Sequence, residues 1–253
     1  MQSQIITDHD PQQFALAIEE ARPVIARVFE LDASAQERLL QILSRPSLFR
    51  RVAVLYREEG QCVGYQFITF EQITVEGRAL GICRPLVGFV EGVQGGRRAY
   101  VDSIPISIRV RLESQLPLYM VSVAVTPMGY RLAAGSTPRV YPSPHAHPDD
   151  AFSKKVLEET LRCWGVNTER RGEVLVAQNV RCRIPYRPTS QNIEGEYFLQ
   201  HCPDYTDGVG IPVCVPLSAP VLTRVALLTA QRQLRVHSQR LVTTISATLQ
   251  PSA

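Results

Sequence analysis

Two adjacent glycines and two adjacent arginines, Gly95, Gly96, Arg97 and Arg98, sit in the stretch EGVQGGRRAY from Glu91 to Tyr100. The N–H groups that open a helix have no partner inside it, and glycine lets an anion approach them closely. Arginine adds charge-assisted hydrogen bonds. If a strand ends near Glu91 and a helix begins near Arg97, this stretch can cradle a phosphate. Arginines in a first helical turn otherwise oppose the helix dipole, and a bound anion relieves that conflict. The alternative is a Gly-Gly turn carrying two solvated arginines. Arg84 interrupts an apolar run just upstream. It is a candidate contact for a substrate carboxylate, or a cation facing water on an edge strand.

Other reactive side chains assemble less well. His145 and His147 stand two apart with Asp149 and Asp150 nearby, a pattern that can bind a metal. The prolines around them imply a loop, and only His201 offers itself as a third ligand, so the expectation is no metal. Cys202 follows His201, but there is no G-x-S-x-G nucleophile elbow. The six cysteines form no CxxC pair and read as small core residues in a reducing cytoplasm.

The composition bounds the rest. The chain has 253 residues, 45% of them apolar, enough for one large core or a core with an added lobe. The net charge of +3, from 27 basic and 24 acidic residues, is too mild to argue for nucleic acid. Arg232, Arg235 and Arg240 are not joined by an aromatic-rich basic surface. The opening MQSQIITDHD does not read as a signal peptide, and no apolar run approaches a membrane span.

The elements that must hold these residues follow from periodicity. Asp10 to Glu30 predicts one or two short helices, with Pro23 able to begin the second. Asp32 or Ser34 can cap a further helix presenting Leu39, Leu40 and Leu43. Arg51 to Gly92 predicts an antiparallel meander of three strands, VAVLY, CVGYQFITFEQITV and ALGICRPLVGFV. Pro85 marks the third of these as an edge or a bulge. Tyr100, Ile104, Ile108 and Leu112 recur every four residues and favour a helix, although Pro105 fits it badly. PLYMVSVAV is a clear strand, and a short helix around Tyr130 to Ala134 follows it. Phe152, Val156, Leu157, Leu161 and Trp164 form one helical stripe that Gly165 stops. EVLVAQNVRCRIPYRP supplies one or two strands. EYFLQHCPDYTDGVGIPVCVPLS reads as an ordered loop leading to a short strand, and residues 219 to 249 as helical. The whole is an α+β or α/β domain with a central mixed sheet.

The order of these elements, and the glycine-rich turn after a long strand, resemble the GNAT superfamily of acyl-CoA-dependent N-acyltransferases. In that fold a meander leads into a long fourth strand, here ALGICRPLVGFV. The next helix begins at a loop whose amides hold the coenzyme A pyrophosphate, here GVQGGRRA. The acyl-pantetheine arm lies between splayed fourth and fifth strands. The Gln94-Gly95-Gly96-Arg97-Arg98 spacing departs from the family pattern, and one earlier strand is required somewhere in residues 1–50.

The resemblance implies a GNAT-like core over residues 1–145 and a C-terminal extension packed on it over 146–253. It implies an acyl-CoA or acetyl-CoA cosubstrate, or an acyl carrier thioester, and a small-molecule or protein amine as acceptor. Val90, Gln94, Gly95, Gly96, Arg97 and Arg98 are the implied cofactor contacts, with a V-shaped gap between strands ending near Val90 and Val125. Thioester aminolysis needs a proton acceptor for the amine and a donor for the leaving thiolate. Glu91, the carboxylate nearest the strand end, is the candidate base, or else a solvated turn residue. Tyr130 is the implied acid, or else a ring packed on the sheet. The alternative to an enzyme is a non-catalytic GNAT-like domain that binds a ligand or a protein. The oligomeric state is left open.

Overall fold

The computed structural model describes residues 1–30, 37, 41–93, 95–134, 137, 139–145, 147, 150–178, 181–183, 192–223 and 227. The chain opens with the strand that periodicity had not located, β1 (Gln2–Thr7), paired antiparallel to β3 (Leu48–Glu58). Between them run helix α1 (Pro11–Val28) and a two-residue strand, β2 (Phe29–Glu30). Asp10 caps α1 by accepting from the Gln13 amide at 3.0 Å, and Pro11 occupies the first turn, where its missing N–H costs nothing. Pro23 lies inside this single helix rather than starting a second one. It is exposed, so the carbonyl it leaves unpaired faces water. The expected caps Asp32 and Ser34, with Leu39 and Leu40, lie outside the described residues, whereas Leu43 is buried.

β3 continues the meander into β4 (Gln61–Val75) and β5 (Arg78–Phe89). A two-residue turn, Glu76-Gly77, joins the last two strands, with φ of 50° and 75°. Helix α2 (Gly96–Ser114) then crosses to β6 (Leu118–Ala124), which runs parallel to β5. Helices α3 (Pro127–Ala134) and α4 (Asp150–Trp164) follow, then β7 (Thr168–Arg171), β8 (Val174–Gln178) and β9 (Arg181–Cys182). Helix α5 (Ile193–His201) and β10 (Val209–Pro216) complete the named elements. The main sheet has the order β1-β3-β4-β5-β6-β10-β8-β7, and β2 pairs with β9 in a small second sheet. Of the region expected to be helical from 219, residues 219–223 are helical, and most of the remainder lies outside the described residues. No helix among the described residues is long and apolar enough to cross a membrane.

Each face of the sheet carries its own core. Tyr65, Phe67, Ile73 and Ile82 project toward α1 and α4, where Phe14, Ile25, Val156 and Leu161 meet them. Ile68, Phe70, Cys83 and Phe89 project to the other face, under Ala99, Ile106 and Val110 of α2 with Tyr130 and Phe198.

Three expectations are corrected. Pro85 is not in a bulge, since the β4–β5 register runs unbroken from Gly64–Phe89 to Val75–Arg78; its strand lies inside the sheet, but the pairing with β6 ends at Cys83, so Pro85 stands on a locally unpaired side. α2 forms, with Pro105 exposed inside it, and buries Ile104 of the expected row with Ala99, Ile106 and Val110 rather than the whole row. Ile108 is 36% and Leu112 72% exposed, because a row of fourth residues winds around the cylinder. The stretch expected as a loop before β10 contains α5, capped by Asn192 accepting from the Gly195 amide at 2.7 Å.

Candidate functional site

The parallel pairing of β5 with β6 covers only Gly81–Leu118, Ile82–Tyr119 and Cys83–Met120. Beyond it, β5 continues to Phe89 against β4, and β6 continues to Ala124 against β10. The two strands therefore fork, with the apex at Cys83 and Met120. The Gly81 amide donates to the Pro117 carbonyl at 2.9 Å, on the β6 side. By strand alternation Cys83, Pro85, Val87 and Phe89 turn their backbone groups the same way, into the fork. Pro85 is the first of these beyond the apex. Its lack of an N–H, awkward in an internal strand, falls where there is no strand to bond.

The open end of the fork meets the glycine-rich turn. The Val90 amide donates to Val63 at 3.0 Å, the Val93 amide to Val90 at 3.2 Å, and the Gly95 amide to Val93 at 3.0 Å. Gly92 takes a φ of 85°. Gly95 is the N-cap of α2, with no side-chain cap and no acidic residue in the first turn. The first helical amides, beginning with Gly96, thus have no intrahelical acceptor. A Cβ on Gly95 would lie 1.9 Å from the Phe89 ring, so the space freed by this glycine is filled from below. Gly96 is partly exposed. The Arg98 guanidinium reaches Asp102 at 3.1 Å and Ser3 at 3.3 Å. Gln94 and the Arg97 side chain lie outside what is described.

A small cleft of about 30 Å³ lies at the apex beneath α2. Cys83, Pro85, Ile104, Ser107, Met120 and Leu217 are among its walls. Burial pushes the Cys83 thiol up to about 12, against a smaller opposing effect of its hydrogen bond with Ser107, so it is a neutral thiol at neutral pH. None of these residues was expected from the sequence to line a site. The signal for them was Pro85, a proline in an otherwise clear inner strand.

The remaining expected residues stand elsewhere. Glu91 is exposed in the turn at the open end. Five residues separate it from Pro85, four of them in β5, a span of at most about 20 Å. Tyr130 is fully buried, stacked on Tyr197 at 5.7 Å, and donates to the Pro142 carbonyl at 2.9 Å. Burial, more than the nearby Tyr197 and Glu194, raises its pKa and keeps the phenol protonated. Arg84 projects from the opposite face of the sheet and lies over the Trp164 ring at 4.0 Å. Desolvation, helped by Arg45 and opposed by Glu71, lowers its guanidinium to about 10, still a cation at neutral pH. The Trp164 indole donates to Glu71, and Ser47 donates to the same carboxylate at 3.2 Å. The structure joins the turn, the helix start and the fork, but brings neither Tyr130 nor Arg84 into the cleft. His147 donates its amide to Asp150 at 2.7 Å, and no three His, Cys, Asp or Glu residues group as metal ligands among the described residues.

No family model matches the chain, and no curated protein matches it. Solved structures match in part. One is a conserved protein of unknown function from Enterococcus faecalis V583, described as a probable N-acyltransferase: 15% identity over 53% of this chain and 32% of that one, TM-score 0.37. Another is the GNAT family N-acetyltransferase YhbS of Escherichia coli in complex with CoA: 16% identity, 49% and 63%, TM-score 0.35. A third is a GNAT family acetyltransferase of Brucella melitensis with acetyl-CoA: 16% identity, 49% and 76%, TM-score 0.34. The chain thus spans about a third of the first protein and less than two thirds of the second. The likeness is weak and partial. The meander, the α2 crossover and the fork are what the resemblance implied, and the fold is an α+β arrangement of a mixed sheet flanked by helices.

Proposed function

We propose that the protein transfers an acyl group from acyl-CoA, or from an acyl carrier thioester, to an amine on a small molecule or a protein. The observation that carries this reading is the fork: β5 and β6 part after Cys83–Met120, and the uncapped start of α2 stands at the open end. A pyrophosphate at Gly96 and the following amides, with Arg97 or Arg98 as its cation, would satisfy these donors. Arg98 would have to exchange Asp102 for the phosphate, which favours Arg97. The pantetheine arm would then lie along Val87 and Pro85, where backbone groups face the fork. The Val87 N–H is the first donor beyond Pro85 and would bond the pantetheine arm.

In the transfer itself the neutral amine attacks that carbonyl. The C–N bond forms, the C–S bond breaks, one proton leaves the nitrogen and one is taken up by the departing thiolate. Tyr130 holds a proton at neutral pH, but donation requires its bond to Pro142 to open. Glu91 would act on the amine only through a chain of waters. This commitment of Tyr130 and this distance of Glu91 favour a second reading, a GNAT-like domain that binds a thioester or a protein without catalysis. We also propose a reducing cytoplasm as its setting, where the six free cysteines would persist.

Calorimetric titration with coenzyme A tests the cofactor half. Micromolar or tighter binding is expected, weakened by about 1.5–3 kcal/mol in Arg97→Ala. Absence of binding removes both readings of the fork as a thioester site. Binding without turnover of any acyl-CoA across a panel of amines selects the second.

A further inference from the structure

We propose that Arg84 binds a carboxylate of the amine acceptor, so that the acceptor carries both an amine and an acid, as an amino acid does. This rests on the acyl-transfer reading above and adds to it the chemical class of the acceptor.

Arg84 is the first residue of β5 past the apex, directly after the last pair that β5 makes with β6. Cys83 turns its side chain under α2, and Arg84 turns its own to the other face, toward Trp164. An amine that attacks a thioester lying in the fork has to arrive from that other face, because α2 covers the first. α4 covers the second face behind the apex, where Val156 and Leu161 pack with Ile82 and Val121. Past the apex, Arg84, Leu86 and Val123 are only half-buried. An approach is left there, and Arg84 stands at its inner end.

The guanidinium is held in place but not satisfied. It lies over the Trp164 ring, 4.0 Å from the centroid. Trp164 is itself fixed twice: its indole N–H donates to Glu71, and its backbone carbonyl accepts from Arg45 Nη2 at 3.3 Å. The other oxygen of Glu71 accepts from the Ser47 hydroxyl at 3.2 Å. Neither oxygen is bonded to Arg84, and among the described residues nothing accepts a hydrogen bond from it. Stacking on a ring face leaves the N–H edge of a guanidinium unused, and a desolvated cation without an acceptor is costly. That planar edge matches a carboxylate through two parallel hydrogen bonds. The charges agree with one acid group. Arg45 and Glu71 are the charged groups that act on Arg84, so two cations share one anion. A single carboxylate neutralises the surplus, whereas a phosphate dianion would overshoot it.

The test uses Trp164, the single tryptophan of the chain, as its reporter. Its emission is followed in the full chain, at constant ionic strength, on titration with glycine, β-alanine and 4-aminobutyrate. These hold amine and acid at increasing separation, and their amides are titrated alongside. At least one acid is expected to give a saturable change and to bind about ten- to hundredfold tighter than its amide. Arg84→Gln should abolish this preference with coenzyme A affinity unchanged, and Arg84→Lys should keep only part of it. If the variants fail to fold, the comparison of acid with amide in the wild type decides alone, since an arginine that only packs on Trp164 would respond to both alike. No response to any acid, an equal response to acid and amide, or a preference retained in Arg84→Gln overturns the assignment. With coenzyme A bound, such a result leaves the acyl-transfer reading standing. A preference for acids in a protein that binds neither coenzyme A nor any acyl-CoA removes that reading, and the role of Arg84 toward an acceptor falls with it. Acyl transfer to amines without an acid group, as fast as to the acids, also overturns the proposal.

Discussion

Two buried tyrosines show how the same side chain serves opposite ends. The Tyr130 hydroxyl is bonded to Pro142, whereas the Tyr65 hydroxyl is buried with no hydrogen-bond partner among the described residues. Removing a satisfied buried donor strands its acceptor, and removing an unsatisfied one relieves a desolvation cost. Tyr130→Phe should therefore destabilise by about 1–3 kcal/mol, and Tyr65→Phe should stabilise by about 1 kcal/mol. Thermal unfolding of the two variants side by side checks the opposite signs. If Tyr130 also donates the proton to the thiolate, Tyr130→Phe lowers kcat by about 10²-fold with acyl-CoA affinity unchanged. A residual kcat near wild type assigns it to packing. A pH effect resides at Asp204, whose carboxylate accepts from Arg171 Nη1 at 2.7 Å and Nη2 at 2.8 Å. That bond holds the carboxyl below its ordinary 3.8. The folded value is the lower one, so the stabilisation is complete above the unfolded value and is lost as pH falls through the folded value. The pair is partly exposed, so it contributes about 0.5–1 kcal/mol at neutral pH. Urea unfolding of wild type and Asp204→Asn should differ by that amount at pH 7 and converge as pH falls through the folded value.

Among the elements, the junction of β5, the turn and α2 depends on one ring. Phe89 fills the space that side chains at Gly64 and Gly95 would occupy, with ideal Cβ positions 2.1 and 1.9 Å from its ring atoms, and it lies 4.9 Å from Tyr56. Gly95→Ala should cost about 1–3 kcal/mol through overpacking. Phe89→Leu in the same chain should recover part of it, and a double-mutant cycle measured by chemical denaturation reads the coupling. This contact explains why the site was only half legible. Gly-Gly between strand and helix was readable as a helix entry, but not that Gly95 makes room for a ring six residues earlier. Local pattern located the meander and α4, because alternation and the 3-4 stripe of Val156, Leu157, Leu161 and Trp164 are properties of a single element. It missed β1, whose Gln2–Thr7 stretch buries only Ile6 and so lacks a marked alternation. It missed α5 because Phe198 is its only fully buried side chain. It located only part of the buried face of α2, since Ala99 and Ser107 pack on the sheet while the larger Leu112 does not. Pro85 was legible as an anomaly, but its meaning depends on where β6 leaves β5, a fact of pairing that no local pattern carries.

For the molecule as a whole, the fork is held by chain from beyond residue 145. β10 registers on β6 over six pairs, from Ile211–Ala124 to Pro216–Tyr119. It is an inner strand, with β8 on its other side, and Val209 to Val215 are all buried. β6 is therefore bonded to β10 along the stretch where it has left β5, and that pairing keeps the two arms apart. α4 closes the opposite face, with Trp164 over Arg84 and Val156 and Leu161 among the side chains packed with Ile82 and Val121. Residues 1–145 alone would leave β6 as an unpaired edge and would expose the apolar face that α4 covers. The expected outcome for that fragment is loss of a cooperative thermal transition, together with loss of any coenzyme A binding that the full chain has. Circular dichroism melting reads the first, and titration under the same conditions reads the second. A fragment that melts cooperatively and keeps the affinity of the full chain would show that β5, α2 and β6 hold the fork unaided. The strands would then have to be kept apart from within, by the Pro85 backbone and the Phe89 ring, rather than by the partner that β6 finds in β10.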